Sequence, residues 1–516
     1  MPESSRLFPD LISRGVEEKA KPASQTNPAK RLKPINRNQN CWAAIDLERL
    51  IAGDHAARGI WAMVNQLDLS GLEERIRAVE GRAGQSSVDP RLLMSLWIYG
   101  YSEGISSARE LSRLCDYEPG CLWLTGMQAI NYHTLSSFRL EHKEQLNRLF
   151  VQVLGLLSSQ GLIEMKRITQ DGTKVRAFAG GNSFRREKHL RQHLEMARQQ
   201  VAALGNPQEE ESNEKRQRQA RERGQKEKQA RLEEALKELE QLQQSRKKSE
   251  REKVRVSSSD PQARVMKQAD GGFAPSYNVQ ITTDATCGLV VGVDVTQAGN
   301  DCDQLEKGID QVEANTGKTP QQVLVDGGYT MKHDNIERMA ERGIEVIGPE
   351  VASSSDESLK RRGVYPEFYP AKFDYDPASD TFRCPAGKIL KHIQARQQGN
   401  SYEHHYRASV ADCSACPFQV QCCPKSAARE VVRKQESPAL QAFRIRMQSP
   451  EAQQLYRQRA RIAEFPHAWI KEKFGLRQFR LRGLRKVGIE AVLACLTYNI
   501  CQWIRLTWRP ALAAAA

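Results

Sequence analysis

Between residue 41 and about residue 160, apolar positions recur at helical spacing. Asp89-Pro90 opens one helix, and Leu92, Leu93, Met94, Leu96, Trp97, Ile98 and Tyr99 follow it. Ser107 with Glu110 forms a capping box ahead of Leu111 and Leu114. A short helix is predicted near Thr134 and a longer one from Leu140 to Leu157. The period then changes. A strand-like run, Arg-Ile-Thr-Gln, leads into Asp171-Gly172, where the pattern predicts a strand end and a turn. Further strand-like runs cover Tyr277–Thr282, Leu289–Val295, Val323–Val325 and Ile344–Ile347. A turn around Asp284–Gly288 joins the first two as a hairpin. Leu305, Ile309 and Val312, spaced by four and three, predict a helix between Cys302 and Asn315. The order is that of a mixed α/β sheet, with Asp171 and Asp326 ending neighbouring central strands.

Two stretches interrupt this pattern. Residues 184–255 hold 20 Lys/Arg and 14 Glu, with no aromatic after Phe184. Leu232, Leu236, Leu239 and Leu242 make an apolar stripe there, and Gly205-Asn206-Pro207 breaks the run. A charged helical hairpin or short coiled coil inserted in the sheet domain is expected; a solvated charged spacer is the alternative. Residues 351–450 form the second interruption, first Ser-rich and then Cys-rich. The apolar stretch Ile489–Leu506 contains Glu490, Asn499, Gln502 and Arg505, which suits a buried helix better than a membrane span. The organisation expected is a polar basic arm over 1–40, a helical domain over 41–160, and an interrupted α/β domain over 161–508.

Charge narrows the choice of partner. The chain has 516 residues, a formal net charge of +14 and a pI near 9.2, which favours a polyanion such as DNA or RNA. Twelve cysteines without a secretory leader suggest a reducing, cytoplasmic setting, where clustered thiols bind metal. Cys384, Cys413, Cys416 and Cys422 are the expected ligands of a structural zinc, with Cys423 the alternate fourth. His392, His404 and His405 are nearby substitutes. Cys115, Cys121, Cys495 and Cys501 are expected in the core.

Three carboxylates carry the candidate chemistry: Asp171, Asp326 and Glu464, the last in a basic helical stretch. Two strand-end aspartates and a helical glutamate can hold two divalent metals about 3.5–4 Å apart, the arrangement that drives in-line displacement at phosphorus. Either Asp-Gly alone is an ordinary turn signal. From Tyr456 to Lys486 there are ten Lys/Arg against two Glu, interleaved with Phe474, Phe479 and Leu481. Lys471 lies seven residues after Glu464, so it is expected on about the same helical face. Asp260, Asp303, Glu472 and Glu490 are rival acids.

In Asp171-Gly-Thr-Lys, Asp326-Gly-Gly-Tyr, the set Tyr456, Arg459, Glu464, Lys471, and Phe479-Arg-Leu-Arg-Gly-Leu-Arg-Lys-Val, the chain resembles a bacterial insertion-sequence transposase of the DDE type. The helical region around Asp89-Pro90 and Trp97-Ile-Tyr-Gly-Tyr also resembles that group's N-terminal domain, and one branch carries a similar Cys-bearing insertion. The resemblance covers most of residues 41–506. It departs in two places: four residues separate Arg459 from Glu464, one more than the commonest spacing, and Phe-Pro-His-Ala follows Glu464. The resemblance implies a ribonuclease-H-like mixed-sheet core with a helical N-terminal domain, the inserted hairpin and a small zinc-ribbon-like module. It implies Asp171, Asp326 and Glu464 as catalytic ligands of two Mg²⁺ or Mn²⁺ ions, with Tyr456, Arg459 and Lys471 contacting DNA. The implied partners are double-stranded DNA, as element ends and target, and a second copy of the chain; no membrane is implied. The implied location is the bacterial cytoplasm, at the nucleoid. A nuclease that does not join strands, a non-catalytic DNA-binding regulator and an RNA-processing enzyme are the alternatives.

Overall fold

The computed structural model describes residues 44–515, apart from 75, 77–85, 205–211, 351–354, 399–400 and 436. The expected arm over 1–40, the Gly205-Asn206-Pro207 break and part of the Ser-rich stretch lie outside the described residues. Contacts divide the chain at Asp46. Of the first unit only residues 44–46 are described, and Leu47–Ala516 forms the second.

Among the described residues seven α-helices come first: α1 (Ala56–Val64), α2 (Ser70–Glu73), α3 (Pro90–Ser102), α4 (Ala108–Leu114), α5 (Pro119–Thr125), α6 (Tyr132–Glu141) and α7 (Lys143–Ser159). The starts follow the capping residues. Asp89 accepts from the Arg91 N–H at 2.7 Å ahead of Pro90, and Ser107 accepts from the Glu110 N–H at 3.4 Å. α3 is buried on nearly every side.

β1 (Arg167–Arg176) opens the main sheet. The chain leaves it through β2 (Phe184–Arg185), α8 (Glu187–Leu204), α9 (Ser212–Gln244) and β3 (Val256–Ser257). It returns as β4 (Arg264–Lys267), β5 (Phe273–Asp284) and β6 (Val290–Thr296), then α10 (Leu305–Thr316), β7 (Gln322–Leu324), α11 (Gly327–Thr330), α12 (His333–Glu341) and β8 (Glu345–Ile347). β5 carries antiparallel β1 on one edge and β4 and β6 in succession on the other. β7 and β8 continue beyond β1 in parallel. The sheet order is therefore β4-β5-β1-β7-β8, with β6 on β5. β1 does not end at Asp171 as the sequence pattern predicts. Asp171 pairs with Ile281 and Gly172 with Gln280, and the ladder runs on to Arg176. A turn residue pair stays extended here because β5 supplies a partner along the whole length.

α8 and α9 pack together through Leu190, Leu194, Ala197, Leu232, Ala235 and Leu239, an apolar cluster separate from the main core. The second interruption is larger than a small ribbon. It contains α13 (Ser355–Arg361) and a five-stranded antiparallel sheet of β9 (Asp374–Asp376), β10 (Thr381–Arg383), β11 (Ile389–Gln398), β12 (Ser401–Ala408) and β13 (Glu430–Gln435). α14 (Val410–Ser414) and α15 (Gln419–Cys422) lie between β12 and β13. Phe373, Phe382, Leu390, Tyr406 and Val431 fill its centre. The chain rejoins the main fold already at α16 (Pro438–Gln448), which packs on α12.

α17 (Pro450–Ala468) passes into a π-helical turn, Trp469–Lys473, and α18 (Leu484–Trp503) follows. α18 is long and apolar enough to span a membrane, yet it is largely buried against β6, α3 and α7. One continuous apolar core joins the N-terminal helices, the main sheet and α18.

Candidate functional site

Asp171 sits in mid-β1, and Asp326 follows β7 as the cap of α11, accepting from the Gly328 N–H at 2.9 Å. Because β1 and β7 are neighbours, both carboxylates come to one place. Burial pushes Asp171 up to about 6; Arg459 opposes that shift, and the charges of Asp326 and Asp301 add to it. Asp301 was not among the residues the sequence singles out. Its Oδ1 accepts from Gln280 Nε2 at 2.6 Å and Asn278 Nδ2 at 2.7 Å, and Lys174 Nζ lies 3.7 Å away. Gly172 is required for this approach, since a Cβ there would stand 2.2 Å from Asp301 Oδ1. A polar network backs the pair: Gln280 accepts from the Tyr329 hydroxyl at 2.5 Å, and Gln170 donates to the Gln304 carbonyl at 2.8 Å.

α17 lies across this acidic pair. Arg459 Nη2 reaches Asp171 Oδ1 at 3.0 Å, and His467 Nε2 stands 3.7 Å from Asp171 Oδ2. Neither ring nitrogen of His467 has a hydrogen-bond partner among the described residues. Burial, then Lys471 and Arg459, push His467 down to about 3, so its contact with Asp171 is that of a neutral imidazole. Lys471 is half-buried, lowered by burial and held partly up by Asp171. Tyr456 packs its ring with Leu324, Ile347 and Ala452. Glu464 is exposed on α17. Five residues past Arg459 is a rotation of about 140° on an α-helix, which turns Glu464 away while Ala463 faces inward. Lys471 does not share the face of Glu464 as expected. The π-helical turn at Trp469–Lys473 shifts the phase between them.

The rival acids have other work. Glu490 is fully buried and accepts from the Arg480 N–H at 3.1 Å and from the Leu481 N–H. Asp260 accepts from the Tyr277 hydroxyl at 2.7 Å and the Gly483 N–H at 3.1 Å. These two carboxylates hold the basic loop ahead of α18. Asp303 is exposed on an ion pair with Lys332 at 2.6 Å, and Glu472 pairs with Arg477.

The expected zinc ligands converge. Cys384, Cys413, Cys416, Cys422 and Cys423 line one cavity of about 20 Å³ with no histidine in its wall. Cys384 Sγ accepts from the Lys388 N–H at 3.2 Å and Cys413 Sγ from the Arg429 N–H at 3.4 Å. Burial pushes the Cys422 thiol up to about 12. His392 and His404 face each other at 3.3 Å, and His405 pairs with Glu430 at 2.8 Å. As the side chains stand, no group of three or more His, Cys, Asp or Glu among the described residues forms a ready metal cage. Cys115, Cys121 and Cys495 are buried core residues, and Cys501 is half-buried.

A family model described as Transposase DDE domain matches residues 383–504, and a second, Transposase domain (DUF772), matches residues 45–141. The two matches support an insertion-sequence DDE transposase. The first match takes in Tyr456, Arg459, Glu464, Lys471 and the cysteine cluster, and the second the N-terminal helices; Asp171 and Asp326 lie outside both. No curated protein matches the chain.

Proposed function

We propose that this transposase cuts DNA at the ends of an insertion sequence and joins the freed strand to target DNA, through one centre formed by Asp171, Asp326 and Glu464. The observation that carries the reading is the meeting of Asp171 and Asp326 from parallel neighbours β1 and β7, under a helix bearing Arg459 and Lys471. Sheet order β4-β5-β1-β7-β8, with β5 antiparallel and β7 and β8 parallel to β1, fits a ribonuclease-H-like core. The division into an arm over 1–40, a helical DNA-binding domain over 41–160 and a catalytic domain over 161–508 belongs to the same reading.

Hard carboxylate oxygens suit Mg²⁺ or Mn²⁺, and Asp171 and Asp326 would hold the ions. When bound, such a pair activates an attacking oxygen and stabilises the leaving oxygen on phosphorus. The chain's own part is positioning and charge. Asp171 must be ionised, and Arg459 favours that form. Arg459 and Lys471 neutralise a phosphate placed between them and the acids, and Tyr456 props α17 on β7. Completing the triad requires α17 to turn by about 100°, which carries Glu464 to where Ala463 now faces. Pro466 and the π-helical turn support this, because both interrupt the hydrogen-bond ladder beside Glu464.

The five converging thiols suit a structural zinc held by Cys384, Cys413, Cys416 and Cys422, with Cys423 in reserve, once they close on the ion as thiolates. Two DNA ends must be brought together, so the working form is a dimer or larger assembly in the bacterial cytoplasm, at the nucleoid.

The test is Asp326→Ala with DNA carrying the element's own ends. The expected result is loss of Mg²⁺-dependent cleavage by at least about 10³-fold with DNA binding retained, in line with removal of a central electrostatic group. Cleavage at the wild-type rate would sink the proposed centre.

A further inference from the structure

We propose that His467 is a nitrogen ligand of the divalent ion at this centre, holding it together with Asp171 and Asp326 while Glu464 faces outward. The inference deepens the proposed function and rests on it, since it names the third ligand of the centre before DNA is engaged.

His467 is delivered by the same helical face as Arg459. Arg459, Ala463 and His467 follow one another at intervals of four on α17, so they share one side of it. Arg459 Nη2 stands 3.0 Å from Asp171 Oδ1, and the Gly172 N–H donates to that same oxygen at 3.0 Å. Asp171 Oδ2 is left facing His467 Nε2 at 3.7 Å. His467 is 9% exposed, and neither of its ring nitrogens has a hydrogen-bond partner among the described residues. The parallel register pairs Thr169 with Leu324, and Asp171 and Asp326 each stand two residues further along these neighbouring strands.

Buried polar groups normally have a partner, so an imidazole with both nitrogens idle against a carboxylate calls for one. The gap of 3.7 Å is too long for a hydrogen bond. Two donors held about 2.1 Å from one ion, at an angle of about 90–120°, lie about 3.0–3.6 Å apart. A small closure therefore lets Nε2 and Oδ2 share an ion. Imidazole is an ordinary ligand of transition metals, whereas Mg²⁺ keeps to oxygen, so the DNA-free centre favours Mn²⁺. The charges around it oppose one another: Arg459, Lys471 and Lys174 stand against Asp171, Asp326 and Asp301. An ion is thus held by the atoms it touches and not by a surplus of negative charge. When α17 turns, Glu464 comes to where Ala463 faces and His467 leaves with that face, so carboxylate oxygen replaces imidazole nitrogen as third ligand.

The experiment titrates the DNA-free full chain with Mn²⁺ and reads two quantities: affinity, from the loss of the free-ion EPR signal, and the coupling of bound Mn²⁺ to a directly ligated nitrogen, by pulsed EPR. Wild-type protein is expected to show the nitrogen coupling, and Asp326→Ala to lose it together with the bound ion. His467→Phe keeps a buried ring and removes both nitrogens. It is expected to lose the coupling and at least about tenfold in Mn²⁺ affinity, the loss that removing even an outer partner of a ligand brings. Its Mg²⁺ affinity, read by competition, should change less. Metal-free His467→Phe should melt at or above the wild-type temperature, because no hydrogen bond is lost. Coupling from the facing His392 and His404 would survive in both variants, which tells it apart. Coupling of wild-type strength in His467→Phe overturns the assignment. So does wild-type protein that binds Mn²⁺ through Asp326 without nitrogen coupling, a result independent of how the variant folds. Mn²⁺ binding untouched by Asp326→Ala would instead bring down the proposed centre.

Discussion

Asp171 is an acid placed among acids. Its carboxyl is pushed up from 3.8 to about 6, first by burial. A carboxyl with a raised folded-state value contributes stability below about pH 4 that is lost as the pH rises through 6. The shift of about two units is near 3 kcal/mol, and the side chain is only 20% exposed, so little is lost to solvent. In metal-free protein, Asp171→Asn should therefore flatten the fall in stability between pH 4 and pH 7. Urea unfolding at several pH values checks this, and an unchanged pH slope in the variant contradicts it. Asp171 and Asp326 stood out because each follows a strand-like run and precedes glycine. Asp301 did not, since it lies in Asn-Asp-Cys-Asp between elements and nothing periodic marks it. Only the long reach of Asn278 and Gln280 from β5 shows which of that motif's acids turns inward.

At the scale of elements, strands and capped helices were legible from period and capping residues. α3 and α4 start where Asp89 and Ser107 place them, and the hairpin of β5 and β6 turns within Asp284–Gly288. Two things were hidden. The extension of β1 through Asp171-Gly172 depends on β5, a tertiary partner that local turn propensity does not register. The phase of α17 depends on a π-helical turn, which breaks the assumption of 3.6 residues per turn used to place Glu464 beside Lys471. The Cys-rich interruption was legible as an interruption and not in its size, because its strands β9–β13 are short or polar. Zinc there should be structural. Purified protein is expected to carry about one zinc per chain by elemental analysis, the four-thiolate stoichiometry, and Cys416→Ser should lower both that content and the melting temperature. Metal-free protein of unchanged stability would contradict the assignment.

For the whole molecule, the excess of positive charge is placed on a framework with a single main core. The N-terminal helices are not a separately cored bundle. They share apolar contacts with the sheet and with α18, so the α3–α18 packing ties their orientation to the main sheet. The two interruptions keep their own small cores, which lets them project from the sheet without disturbing β1, β5 and β7. One claim holds the account together: Glu464, exposed here, completes the centre of Asp171 and Asp326 when DNA is engaged. The measurement that tests it most directly follows end-labelled DNA carrying the element's own terminus, with a second DNA as target and Mg²⁺ present, for wild-type protein and Glu464→Gln. The account predicts covalently joined, labelled product from the wild type. It predicts none from Glu464→Gln, with a melting temperature equal to that of the wild type because the side chain is exposed. Joining by Glu464→Gln at the wild-type rate would contradict it.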